Sequence, residues 1–255
     1  MLKTYSHGAG SSGRLPLLIV HGLFGSARNW GVIATRLAAD RPVLSVDMRN
    51  HGASAWSDRH RYPEMAADLA EVIATHGGRA DVLGHSMGGK AAMMLALTRP
   101  DLVHRLIVAD IAPVPYGHTQ AHLVAAMQAL DLSGVTRRGQ ADRALSAHVE
   151  DRAVRAFLLQ SLDLKASPPR WRLNLDALAA EMPHILGWPE METGTFNGPV
   201  LFLSGAASDY VRAEHRARIK ALFPAARFAR IPGAGHWLHA EKPREFEAAV
   251  RAFLA

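Results

Sequence analysis

The sequence predicts an α/β fold, a mainly parallel sheet flanked by helices on both faces, with a helical cap inserted late in the chain. Three observations predict it. Short, almost continuous apolar runs recur at 17–20, 43–46, 80–83, 106–109 and 200–203, as expected of strands buried on both faces. Helical patterns separate them at 29–39, 64–76 and 87–98, and return at 212–222 and 244–254; strand alternating with helix is the mark of a parallel sheet. Between about 115 and 190 the alternation stops, and no strand pattern is present.

Each element has a local reason. The run 17–20 ends at His21-Gly22, where the chain turns toward the helix at 29–39. The run 43–46 ends at Asp47. The run 80–83 feeds Gly84-His85-Ser86-Met87-Gly88, and the following helix stops at Arg99-Pro100, because proline disfavours helix in the residue before it. The run 106–109 ends at Asp110, and 200–203 leads into Ser204-Gly205. A further strand is expected at 227–231, ahead of Pro232-Gly233-Ala234-Gly235. The intervening segment carries helical patterns at 118–130, 140–148, 151–162 and 174–182, punctuated by Ser167-Pro168-Pro169 and Met182-Pro183. The division expected is a core of 1–114 with 191–255, and an all-helical cap of 115–190 over the carboxyl edge of the sheet, where open α/β sheets place their sites.

Composition narrows the class of function. A chain of 255 residues, 49% hydrophobic and 20% charged, is an ordinary globular protein with a substantial core. It has no cysteine, which excludes disulfides, thiolate metal sites and a cysteine nucleophile. The N-terminal stretch to Arg14 has no apolar signal region, and no run approaches the roughly 18 apolar residues of a membrane span, so a cytoplasmic location with no membrane partner is expected. The net charge of +6 comes mostly from arginines scattered along the chain, among them Arg28, Arg36, Arg49, Arg79, Arg99, Arg152 and Arg227. No dense basic run interleaves with aromatics, so no nucleic-acid partner is expected. A monomer or small homo-oligomer is expected.

The chemistry centres on Ser86. Gly-x-Ser-x-Gly at the end of a strand and the start of a helix lifts the hydroxyl off the sheet and aims the first helix amides at it. A serine hydroxyl needs an adjacent base and donors for the developing oxyanion. His236, in Gly233-Ala234-Gly235-His236-Trp237 after the last expected strand, sits on a glycine-rich loop suited to presenting an imidazole. The loop His21-Gly22-Leu23-Phe24-Gly25-Ser26 follows the first strand and is expected to supply one oxyanion donor from Leu23, the other coming from Met87; His21 is expected to hold the loop. The same loop also reads as a plain turn, with Ser26 capping the next helix. Two aspartates at strand ends, Asp110 and Asp209, are candidates for the acid that orients the histidine, and both also read as capping residues. Phe24, Met87, Trp188 and Trp237 are candidates to line an acyl pocket, and each equally fits core packing. Lys90, four residues after Ser86 on its helix, is expected at the surface, since lysines are rarely buried; the alternative is that it faces an acidic substrate group.

With these residues in place, the chain resembles the α/β-hydrolase fold over nearly its whole length, and within it the YbfF-type serine esterases. The resemblance rests on His21-Gly22-Leu23-Phe24-Gly25-Ser26, Asp47-Met48-Arg49-Asn50-His51-Gly52, Gly84-His85-Ser86-Met87-Gly88-Gly89-Lys90, Asp110-Ile111-Ala112-Pro113-Val114, Pro183-His184-Ile185-Leu186-Gly187-Trp188 and Gly235-His236-Trp237-Leu238-His239-Ala240-Glu241-Lys242-Pro243. It implies Ser86 as nucleophile, His236 as base, and the Leu23 and Met87 amides as oxyanion hole. In most of the superfamily the acid follows the strand that is 200–203 here, and that slot falls on Ser208. In the YbfF-like group it follows the preceding strand, which selects Asp110 over Asp209.

The implied activity is a cofactor-free, metal-free carboxylesterase acting on acyl esters or thioesters. A serine nucleophile argues against haloalkane dehalogenases and epoxide hydrolases, which attack with a carboxylate. Leu23-Phe24-Gly25 lacks the Gly-Gly-Pro-Gly loop of proline iminopeptidases. Carbon–carbon bond hydrolysis, perhydrolysis and a slow-turnover ligand-sensing role are the alternatives.

Overall fold

Strand alternation sorts the core of this protein into two layers. The computed structural model describes residues 1–8, 13–190 and 194–255; the expected boundary between 190 and 191 touches a segment outside the described residues. Seven strands form one sheet: β1 (Lys3–His7), β2 (Leu17–Val20), β3 (Val43–Asp47), β4 (Ala80–His85), β5 (Val103–Ala109), β8 (Val200–Gly205) and β9 (Ala226–Ile231), in the order β1-β3-β2-β4-β5-β8-β9. β1 pairs antiparallel with β3, and the other neighbours are parallel.

Successive side chains of a strand point to opposite faces. Leu17 and Ile19 of β2 therefore join Leu83, Ile107 and Leu203 on one face, under Ile33 and Leu37 of α1 (Gly31–Leu37) and Phe246 and Val250 of α11 (Pro243–Leu254). Leu18 and Val20 join Val82, Val108 and Phe202 on the other. There they meet α2 (Tyr62–Thr75), α3 (Met87–Thr98) and α9 (His215–Leu222). α3 is apolar nearly all round, and its residues from Met87 to Leu97 are all buried, as a helix covered on every side must be.

Between β5 and β8 lie α4 (Ala121–Gln128), α5 (Arg138–Leu145), α6 (Arg152–Leu158), α7 (Leu175–Ala180) and α8 (Met182–Leu186). This segment is not all-helical as expected. Residues Leu162–Asp163 (β6) and Arg170–Trp171 (β7) form a two-stranded antiparallel ribbon, too short to leave a periodic signal. β1 is the other strand without a sequence signal: its burial alternates unevenly, as befits an edge strand. A short helix, α10 (Leu238–Glu241), precedes α11. Among the described residues no helix is long and apolar enough to cross a membrane.

Candidate active site

Parallel strands that end together gather their exit loops at one edge. β2, β4, β5, β8 and β9 are consecutive neighbours across the sheet, and they exit into His21, Ser86, Asp110, Ala206 and Pro232 respectively. The Ser86 N–H donates to Ala109 O at 3.0 Å and the Asp110 N–H to Leu203 O at 2.9 Å, so the sheet ladder itself locks both residues at adjacent strand ends.

Ser86 adopts φ 52°, ψ −123°, a conformation that L-residues avoid and that persists only where surrounding structure enforces it. The enforcement is close packing. A Cβ on Gly84 would lie 2.3 Å from Gly88 O, and one on Gly88 would lie 2.4 Å from His21 O. Only glycine lets β4, the start of α3 and the His21 loop approach this closely.

A continuous hydrogen-bonded chain runs from Ser86. His236 Nε2 lies 3.1 Å from Ser86 Oγ, and His236 Nδ1 lies 2.8 Å from Asp110 Oδ2. Asp110 is fully buried with φ 54°. Its Oδ1 accepts the Gly205 N–H at 3.0 Å, and its Oδ2 also accepts the Ser208 hydroxyl at 2.5 Å. In a neutral ring, a carboxylate partner at Nδ1 favours the proton there and leaves Nε2 to face the serine as acceptor, the tautomer required for a base. Asp209 stands apart: its side chain is 74% exposed and pairs with Arg212 at 3.0 Å.

The structure adds neighbours that the sequence did not single out. The Tyr210 ring stacks on His236, with centroids 4.0 Å apart and planes inclined by 20°. Tyr116 Oη donates to Tyr210 O at 2.7 Å and accepts the Ala112 N–H at 2.8 Å. His85 Nε2 reaches His236 O at 2.9 Å, so the imidazole is held at its backbone as well as at its ring. Ser208 is the residue that occupies the commoner acid slot, and here it supports Asp110 instead. The position was readable; its role as a donor was not.

The Leu23 loop is held by two buried neutral histidines. Met48 N–H donates to His21 Nε2 at 2.9 Å, and His21 Nδ1–H donates to Gly22 O at 2.8 Å. Phe24 N–H donates to His51 Nε2 at 3.1 Å, while His51 Nδ1–H donates to Arg49 O at 2.9 Å. Burial lowers His21 to about 4 and His51 to about 3, because an apolar interior disfavours the imidazolium. The loop continues through Ser26, whose N–H donates to Asn29 Oδ1 at 2.7 Å at the start of the next helical turn. Among the described residues the Leu23 N–H has no internal acceptor, and the Met87 N–H belongs to the first turn of α3, where helix amides have no intrahelical partner.

These groups open onto a cavity of about 330 Å³ lined by both the sheet edge and the inserted segment. Phe24, Met87, Ile111, Phe157, Ile185 and Trp237 line it with apolar residues, and Ser86 and His236 line it too. Trp188 is not among the lining residues; it packs against Tyr62 instead, with ring centroids 6.2 Å apart. The surface expectation for Lys90 is overturned. It is 1% exposed and lines the cavity, because the inserted segment covers the part of α3 that its local sequence leaves open to solvent.

The model of the alpha/beta hydrolase family matches residues 17–249. The chain is 43% identical over 252 residues to the sn-1-specific diacylglycerol lipase ABHD11 of Mus musculus, covering 94% of this chain and 81% of that protein. It is 41% identical over 242 residues to the esterase YbfF of Escherichia coli strain K12, covering 94% of this chain and 92% of the relative. A solved structure described as a marine microorganism esterase superposes with a TM-score of 0.93 at 36% identity, covering 99% of this chain and 98% of the other.

Proposed function

The chain belongs to the alpha/beta hydrolase family and is a serine hydrolase acting on small-molecule esters, and from that premise we propose a mechanism through a covalent Ser86 acyl-enzyme. The observation that carries it is the Ser86–His236–Asp110 relay opening onto the apolar cavity. Ser86 Oγ attacks the acyl carbonyl while His236 Nε2 takes its proton. The carbonyl oxygen, now negative, is held by the Leu23 and Met87 N–H groups. His236 returns the proton to the departing alcohol or thiol, and the acyl group stays on Ser86. Water then enters and attacks the acyl carbon as His236 Nε2 takes its proton. The bond to Ser86 Oγ breaks, His236 returns the proton to that oxygen, and the acid is released with serine and neutral imidazole restored. Asp110 keeps the imidazole in the required tautomer throughout and does not itself take the proton.

The inserted segment acts as a cap that closes over the acyl chain. A volume of about 330 Å³ is at the lower end of small-molecule sites, which favours acyl groups of short to medium length. Oxygen esters and thioesters both fit this chemistry, since neither step depends on the leaving atom beyond its protonation.

The test is steady-state hydrolysis of chromogenic acyl esters from two to sixteen carbons, with Ser86→Ala as control. Turnover that peaks within the series and disappears in the variant is expected. Single turnover followed by a persistent adduct on Ser86 would instead make the protein a ligand sensor.

A further inference from the structure

Lys90 is a buried charge that the acyl-transfer steps do not use. It lies in the first turn of α3, where its N–H donates to Ser86 O at 3.1 Å. Lysine is seldom buried without a compensating partner, because the ammonium loses its hydration. Here burial lowers it to about 7. Its partners are carbonyls and rings: Nζ donates to Leu186 O at 3.0 Å and to Gly187 O at 2.6 Å, and sits 4.8 Å from the centroid of the Tyr116 ring and 5.6 Å from that of Tyr62.

Those carbonyls close the C-terminal end of α8, where a helix runs out of internal donors. Two more groups reach the same stretch. The Tyr62 hydroxyl donates to Ile185 O, and the Tyr116 N–H donates to Leu186 O at 3.1 Å. Three consecutive carbonyls are therefore held by α2, α3 and the loop leaving β5. Ile185 and Leu186 themselves line the cavity. A methionine at position 90 would fill similar space but could hold neither carbonyl.

We infer that Lys90 is a positioning residue that sets acyl-chain selectivity by clasping the Leu186 and Gly187 end of the cap wall to the helix that begins at the nucleophile. A two-carbon acyl group lies close to Ser86 and does not need that wall. A longer chain must pack against it, and loses contact when the wall moves. This inference rests on the Ser86 acyl-enzyme reading.

The experiment measures kcat and KM across the two-to-sixteen-carbon esters for the full chain, Lys90→Met and Tyr62→Phe, with Ser86→Ala as control and a thermal melt of each. In Lys90→Met, kcat/KM for the longest well-cleaved chain is expected to fall about tenfold or more, mainly through KM, and that for the two-carbon ester by less than about threefold. Tyr62→Phe removes the adjacent tie and is expected to move the profile the same way by less; it decides the matter if Lys90→Met does not fold. Equal losses at every chain length would reduce Lys90 to a structural residue and overturn the inference, as would an unchanged profile in both variants. Absence of Ser86-dependent turnover in the native chain would overturn the functional reading and the inference together.

Discussion

Asp110 carries three donors on two oxygens: His236 and Ser208 on Oδ2 and the Gly205 N–H on Oδ1. An asparagine there keeps the shape but must turn an NH2 toward one of those donors, which disfavours the Nδ1–H tautomer that the base requires. Asp110→Asn is therefore expected to lower kcat by about 10⁴-fold, as wrong-tautomer changes do elsewhere, with little effect on folding. Asp209→Asn removes only an exposed pairing with Arg212, and such solvent-screened surface pairs contribute little. Its kcat is expected to stay within about twofold of native, because no atom of the relay touches it. Steady-state kinetics of the two variants separates them, and comparable losses in both would refute the assignment of the acid.

A single turn sets the reactive geometry at the scale of an element. The corner from β4 to α3 needs Ser86 at positive φ and needs Gly84 without a side chain, since any Cβ there meets the backbone of Gly88 and Gly89 within 2.7 Å. Backbone cannot retreat as a flexible side chain can. Gly84→Ala is expected to destabilise by roughly 3 kcal/mol or more, or to prevent folding. Gly31 is the contrasting case: it opens α1 at φ −52° with nothing within 4 Å of a Cβ. Gly31→Ala is expected to be neutral or to stabilise by about 0.5–1 kcal/mol through the unfolded chain. Thermal melts of both report the difference, and a stable, active Gly84→Ala would show that the corner tolerates a Cβ.

Stability of the whole molecule is tied to pH through buried histidines that take no part in proton transfer. His21 is lowered to about 4, and His51 and His239 to about 3, in each case chiefly by burial. Their folded values lie below the unfolded value of 6.5, so in the window between the two the unfolded chain binds more protons than the folded one. Stability from these groups is complete above about 6.5 and is lost as the pH falls toward about 4. Three such groups remove roughly 4 kcal/mol per pH unit in that window, against a total of about 5–15 kcal/mol for a typical protein. Cooperative unfolding followed by circular dichroism is expected near pH 5, well above the range in which carboxylates alone would drive it. A fold intact at pH 4 would mean that the imidazoles take up protons without leaving the core.

The buried strands, the corner at Ser86 and the position of His236 after the last strand were legible in the sequence because each depends on residues close together in the chain. An apolar run of four residues, a glycine on either side of a serine and a histidine among glycines specify local geometry wherever they occur. The edge strand Lys3–His7 and the two-residue ribbon strands left no such mark, one because it is largely exposed and the other because it is too short for a period. The acid is a different kind of question. Asp110 and Asp209 both follow strands, and the resemblance, not the residues themselves, favoured Asp110. The tertiary structure places only Asp110 against His236, through the pairing of β5 with β8 and of β8 with β9. The burial of Lys90 is illegible in the sequence for the same reason. Its surroundings are carbonyls 96 and 97 residues away in the chain, and whether a side chain is buried depends on what packs over it, not on its neighbours in sequence.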